Sequence, residues 1–174
     1  MKVLFLTIAL RLFSILKAEE SSPSEEQFEG TYFVKAMVTD NEFHGKKKPK
    51  EMSPLTITHL NDGDLEAKYT INKNGKCKEI KKILLKTNKP GLFSNDEGKH
   101  QVLIQKTSVR DHWIVFCESE LHGTQIRFAQ LVSPDAEENP QAFEEYKNFV
   151  SLKGFNAAKI SIPTQAEACT PEHA

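Results

Sequence analysis

Leu65-Glu66-Ala67-Lys68-Tyr69-Thr70-Ile71 alternates apolar and charged or polar side chains, and the turn Asn61-Asp62-Gly63-Asp64 joins it to Pro54–Leu60, where Leu55 and Ile57 share a face. Period-two alternation on both sides of a turn is the signature of a β-hairpin with one apolar face. Working outward, Asn74-Gly75 turns the chain into a run from Cys77 to Lys86, and Lys89-Pro90-Gly91 ends that run. His100–Lys106, Asp111–Ser119 and Thr124–Val132 follow, and Gly30-Thr31-Tyr32-Phe33-Val34-Lys35-Ala36-Met37 opens the series. These seven runs contain no helix-period segment, so residues 30–132 read as an antiparallel barrel or sandwich. One run resists the pattern: Ile80, Ile83, Leu84 and Leu85 do not alternate cleanly, as they would if a bulge reassigned their register.

The period changes after Ser133-Pro134-Asp135. Phe143, Tyr146, Phe149 and Val150 recur at three- and four-residue spacing, with Glu144, Glu145 and Lys147 opposite and Gly154 closing the segment. This predicts one amphipathic helix of about three to four turns. Ile160-Ser161-Ile162-Pro163 is then expected as an edge strand, since Pro163 cannot extend within a sheet.

The first eighteen residues carry Lys2, an apolar run from Val3 to Leu10 and a Lys17-Ala18 end before the acidic Glu19–Glu26 stretch. Residues 1–18 therefore read as a secretory signal peptide, too short and too interrupted by Arg11 and Lys17 to span a bilayer. Its removal leaves twenty basic side chains against 24 acidic ones, a net charge of −4, which argues against a nucleic-acid partner. The expected product is secreted and extracellular, without stable membrane insertion. The remaining length, about 155 residues, suits a single domain over residues 19–174.

Three cysteines in an oxidising compartment imply one pair and one free thiol. Cys169 lies in the polar tail Ala166-Glu167-Ala168-Cys169-Thr170-Pro171, which needs a tether, whereas Cys117 lies in the apolar run Trp113-Ile114-Val115-Phe116-Cys117. Pairing Cys77 with Cys169 leaves Cys117 free. Closing a loop of about ninety residues stabilises by roughly 4–5 kcal/mol in the chain-entropy model.

Several strands, one helix, a final strand and a tail cysteine reaching back to the fourth run resemble the order found in lipocalins. Val34-Lys35-Ala36-Met37, Leu65-Glu66-Ala67-Lys68, Asp111-His112 with Phe116-Cys117-Glu118, and Glu120-Leu121-His122-Gly123 resemble the tear lipocalin, von Ebner's gland and type II odorant-binding protein branch. The resemblance implies an all-β fold: an eight-stranded antiparallel up-and-down barrel with one C-terminal helix packed outside. It divides the mature chain into barrel plus helix over 27–163 and a tail over 164–174 pinned by a disulfide, which it too places on Cys77 and Cys169. Asp111-His112-Trp113 stands where the family's second signature, Thr-Asp-Tyr, would fall. Two departures matter. The first strand carries Tyr32 where the family has tryptophan, and Ser133-Pro134 replaces a Gly-Arg, so the narrow end should close without the usual indole and guanidinium.

An eight-stranded barrel holds one small ligand, lined by alternate residues. The expected ligand-binding lining is Tyr32, Val34 and Ala36 from the opening run and Leu55, Ile57, Leu65, Ala67, Tyr69 and Ile71 from the hairpin. Val102, Ile104, Trp113, Val115 and Leu131 complete it from later runs. Such a lining suits small hydrophobic molecules: odorants, fatty acids and other lipids. Lys46-Lys47-Lys48-Pro49-Lys50, with Phe43 beside it, falls in the loop that in lipocalins overhangs the open mouth, where it would attract carboxylate heads or simply be solvated.

No catalytic or metal site is expected, and no cofactor. The six histidines show no metal-ligand spacing, and no nucleophile motif is present. A lipocalin with prostaglandin synthase activity uses a thiol on an early strand, whereas Cys117 lies on a late one. The alternative function is protein binding: in the tear lipocalin branch the segment like Leu65-Glu66-Ala67-Lys68 has been compared with cysteine-protease inhibitors. A cell-surface receptor, and a monomer or weak dimer, complete the expected partners.

Overall fold

In the computed structural model, which describes residues 28–40, 51–95 and 98–171, the alternating runs become ten strands. They are β1 (Gly30–Thr39), β2 (Glu51–Met52), β3 (Leu55–His59), β4 (Leu65–Lys73), β5 (Lys76–Lys86), β6 (Leu92–Asn95), β7 (His100–Lys106), β8 (Trp113–Leu121), β9 (Thr124–Ser133) and β10 (Thr164–Gln165). Eight of them close into an antiparallel barrel in the order β1-β3-β4-β5-β6-β7-β8-β9, with β9 returning to β1. The barrel strand that the seven runs lack is β6, fifth in this order, four residues long and half-buried, which carries too few positions to display alternation. At the β4–β5 turn, Asn74 and Gly75 both take positive φ, 55° and 76°, the two-residue geometry whose twist matches the flanking strands.

The β4–β5 ladder runs unbroken from Leu65↔Leu84 to Lys73↔Lys76, so no bulge reassigns β5. Its apolar residues instead divide between faces: Leu84 is buried, while Ile83 and Leu85 stay exposed on the outer surface. The irregularity falls on β1. Its register against β9 slips between Val34 and Ala36, leaving Lys35 as the extra residue. The freed Val34 carbonyl accepts from Gln165 Nε2 at 2.7 Å.

Helix α1 (Pro140–Leu152) packs on the outside of β1, β8 and β9. Asn139 caps it, its side chain accepting from the Ala142 amide at 3.0 Å, and Pro140 sits in the first turn where its missing N–H costs nothing. Ala142, Tyr146 and Val150, spaced four apart, form the buried stripe against Ala36, Val38, Ile114, Phe116, Ala129 and Leu131. Phe143 and Phe149 flank that stripe half-buried. The Tyr146 hydroxyl donates to the Ala129 carbonyl at 2.7 Å, and burial raises its pKa. Gly154, at φ 89°, turns the chain so that the Phe155 amide reaches the Val150 carbonyl.

The expected edge strand at Ile160–Pro163 is reduced to a single bridge between Ser161 and Met37. The strand proper comes later, where Thr164–Gln165 pairs in parallel with Glu51–Met52. Pro163 accounts for the delay, since it lacks a ladder donor and the next residues do not. Beyond it, Cys169 is joined to Cys77 across a Cα–Cα distance of 5.8 Å, the expected disulfide. Residues 1–27, the signal peptide reading among them, lie outside the described residues, as do Phe43 and Lys46–Lys50.

Candidate functional site

Strand connectivity gives the barrel two unlike ends. At the end where β1 begins, Phe28 stacks on Tyr32 with ring centroids 4.8 Å apart and tilts against Trp113 at 5.2 Å. The Tyr32 hydroxyl donates to the Glu29 carbonyl at 3.2 Å, and His59 Nε2 donates to the Phe28 carbonyl at 3.2 Å. Burial raises the Tyr32 pKa; the Glu29 hydrogen bond opposes the shift, and the charges of Asp111 and Glu29 add to it. This end is plugged by three aromatic rings. Tyr32 occupies the first-strand position where the family carries tryptophan, and the indole in this plug comes from another place, Trp113 at the start of β8.

Above this floor the barrel encloses a cavity of about 790 Å³ that opens at the other end, beside the Asn74-Gly75 and His122-Gly123 turns. Of the residues expected to line it, Val34, Leu55, Ile57, Ala67, Tyr69, Ile71, Val102, Ile104 and Val115 do border it. Tyr32, Leu65 and Trp113 lie below, packed in the buried floor with Phe28. Ala36 and Leu131 are on the opposite surface of the sheet, under α1. For Ala36 the cause is the bulge at Lys35, which flips the alternation so that Met37 joins the inner cluster and Ala36 the outer one.

For Leu131 the cause is parity. Counting back from the two-residue turn at His122-Gly123 pairs Leu121 with Thr124, Cys117 with Phe128, Val115 with Gln130 and Trp113 with Val132. The inward set of β9 is therefore Phe128, Gln130 and Val132, and the first two line the cavity. This ladder arithmetic was available in the sequence. Lining residues that the sequence reading missed include Phe28 at the floor, Leu84 and Lys82 on β5, Met52 on β2, Cys117 on β8, and Ala166, Glu167 and Cys169 in the tail.

The lining is graded. Val34, Ile57, Leu84, Ile104 and Val115 surround the deep part, whereas Asn72, His100, Gln101, Glu118 and Ser119 come from strand ends nearest the opening. The tail is part of the wall at that opening. β10 aligns with β2, the Ala166 amide donates to the Met52 carbonyl at 3.0 Å, and the Cys169 amide donates to Thr70 Oγ1 at 3.2 Å. The disulfide therefore fastens a piece of the cavity rim to β5.

Cys117 is free and half-buried, bordering the cavity on what β6 makes the seventh barrel strand. Burial pushes its thiol up to about 12, with a partial offset from the positive charge of Lys82. A thiol so disposed is a small apolar wall element and a poor nucleophile at neutral pH. Leu65-Glu66-Ala67-Lys68 forms the start of β4. Leu65 is buried and Ala67 borders the cavity, while Glu66 pairs with Lys81 at 3.7 Å and Lys68 with Glu79 at 3.1 Å on the outer surface. Among the described residues no group of three His, Cys, Asp or Glu side chains is placed to hold a metal ion, and no helix is long and apolar enough to cross a membrane.

Comparison with known proteins places this geometry. The model of the lipocalin / cytosolic fatty-acid binding protein family matches residues 29–167. The chain is 68% identical over 173 residues to late lactation protein B of Notamacropus eugenii, covering 99% of each chain. It is 41% identical over 175 residues to lipocalin-1 of Sus scrofa, a tear lipocalin, covering 98% of each. Among solved structures, the siderocalin Ex-FABP superposes with a TM-score of 0.67 at 18% identity, over 81% of this chain and 98% of that one.

Proposed function

The chain belongs to the lipocalin family, on the tear lipocalin branch, and we propose that it is a secreted, extracellular, non-catalytic carrier of small hydrophobic molecules such as fatty acids, odorants and other lipids. The observation that carries this reading is the barrel cavity of about 790 Å³, lined by Val34, Ile57, Leu84, Ile104 and Val115 in its depth and by Asn72, His100, Gln101, Glu118 and Ser119 toward the strand ends. Each ligand methylene buried there contributes about 0.8 kcal/mol, so ten give roughly 8 kcal/mol before ordering costs. Micromolar affinity with loose selectivity follows, because an apolar wall discriminates weakly between chains of similar size.

The reading takes residues 1–18 as a signal peptide and the rest as one domain with a disulfide-pinned tail. Full-length likeness to a late lactation protein makes milk the fluid in which to look for it first. Displacement of a fluorescent fatty acid from the purified mature protein tests the carrier role: saturable, one-to-one binding supports it. Failure to bind any apolar probe, or stoichiometric inhibition of papain instead, would replace it with the protein-binding alternative.

A further inference from the structure

One lysine faces the wrong way for a surface charge. On β5, Lys81 and Lys82 are adjacent, and their side chains leave the sheet on opposite faces. Lys81 points outward and pairs with Glu66 at 3.7 Å. Lys82 borders the cavity, in a ladder row with Ala67 and Ile57 that crosses three strands of the wall. Among the described residues it has no ion-pair partner. Ala67 beside it carries only a methyl group, which leaves the lysine stem room to lie across the wall. Its charge acts on Cys117, three strands further round the barrel, as a charge directed into the lumen would.

Three carboxylates also border the cavity, Glu51 on β2, Glu118 on β8 and Glu167 in the tail, and none of them pairs with Lys82. An ammonium on an apolar wall loses water when a hydrocarbon chain fills the space beside it, and that loss is unfavourable unless the ligand returns a counter-charge. A carboxylate does so through a charge-assisted hydrogen bond. A neutral head group of the same size does not.

Resting on the carrier reading above, we propose that Lys82 is a specificity-determining residue that makes the cavity prefer apolar chains bearing an anionic head, a carboxylate in particular, over neutral chains of equal length. The head group sits at Lys82 and the chain packs against the apolar lining around it, Val34, Ile57, Leu84, Ile104 and Val115.

The test compares dodecanoic acid with dodecanol by displacement of a neutral fluorescent probe, in the wild-type mature protein and in Lys82→Met, Lys82→Arg and Lys81→Met. The expected wild-type preference for the acid is about tenfold, the size of one charge-assisted contact in a site that still meets solvent. Lys82→Met should abolish that preference while still binding the alcohol, which also shows that the variant is folded. Lys82→Arg should keep the preference, and Lys81→Met, which removes an equal charge one residue away, should leave it unchanged. An acid-to-alcohol ratio unaltered by Lys82→Met, or lost equally in Lys81→Met, overturns the assignment. Equal wild-type affinity for acid and alcohol overturns it while leaving the carrier role standing, whereas a wild type that binds neither compound removes the carrier reading itself.

Discussion

Replacing Cys77 and Cys169 together by serine removes the cross-link without leaving a thiol to mispair with Cys117. The bond spans 92 residues, and a loop of that size restricts the unfolded chain by about 4.6 kcal/mol at 25 °C in the chain-entropy model. The tail keeps other fastenings. Thr164–Gln165 stays paired with Glu51–Met52, Gln165 Nε2 reaches the Val34 carbonyl at 2.7 Å, and the Cys169 amide reaches Thr70 Oγ1 at 3.2 Å. Each such bond contributes only about 1 kcal/mol net, so the end of the tail frays once the cross-link is gone. Fraying returns entropy to the folded state and reduces the loss to about 2–4 kcal/mol. For a domain of this size that is a fall in Tm of roughly 5–15 °C, read by circular dichroism.

The same substitution should speed ligand release, because Ala166, Glu167 and Cys169 form part of the cavity rim. Stopped-flow dissociation of a fluorescent fatty acid measures this, and limited proteolysis reports whether the tail is released. A double variant that melts with the wild type, keeps its tail protected and releases ligand at the same rate would refute the reasoning.

Leu131→Ala should cost about 2–4 kcal/mol in a urea melt yet leave fatty-acid affinity unchanged, since Leu131 packs under α1; a parallel fall in affinity would return it to the cavity wall. Tyr146→Phe removes the 2.7 Å bond to the Ala129 carbonyl and should lower stability by about 1 kcal/mol, whereas an unchanged melt would mean that bond contributes nothing. Cys117, with its thiol pushed up to about 12, should react slowly with a thiol reagent at pH 8 and faster as pH rises. Because burial favours the neutral thiol, its stabilising contribution is complete below the ordinary thiol value and is lost as pH climbs toward 12. Rapid labelling at pH 8 in the native protein would contradict its placement.

The parts of the barrel legible in the sequence are those with water on one side. β4 shows its alternation because its outer face carries Glu66 and Lys68, which pair with β5 lysine and glutamate in solvent. β1, β8 and β9 are covered outside by α1, where Ala36, Val38, Ile114, Phe116, Ala129 and Leu131 pack, and border the cavity inside, so apolar residues fall on both faces and period two weakens. Apolar character alone therefore does not tell the inner from the outer face at Ala36 and Leu131; the bulge and the ladder register do. The Lys35 bulge leaves no mark in composition, because an extra lysine at a sheet position looks like an ordinary polar one. On the inner face, Gln130 and Lys82 look like surface residues; they are tolerated because the space they border is a cavity and not a packed core. The disulfide was legible for a simpler reason: a polar tail has few other reasons to carry a cysteine.

The central claim is that the space above the Phe28 floor is where ligand binds. The most direct measurement is titration of a fluorescent fatty acid into the wild type and into Ala67→Trp, which places an indole in the cavity beside Ile57 and Lys82. Saturable one-to-one binding by the wild type, lost in a variant of unchanged circular dichroism, is the predicted result. Equal binding by both would put the ligand elsewhere on the molecule and contradict the account.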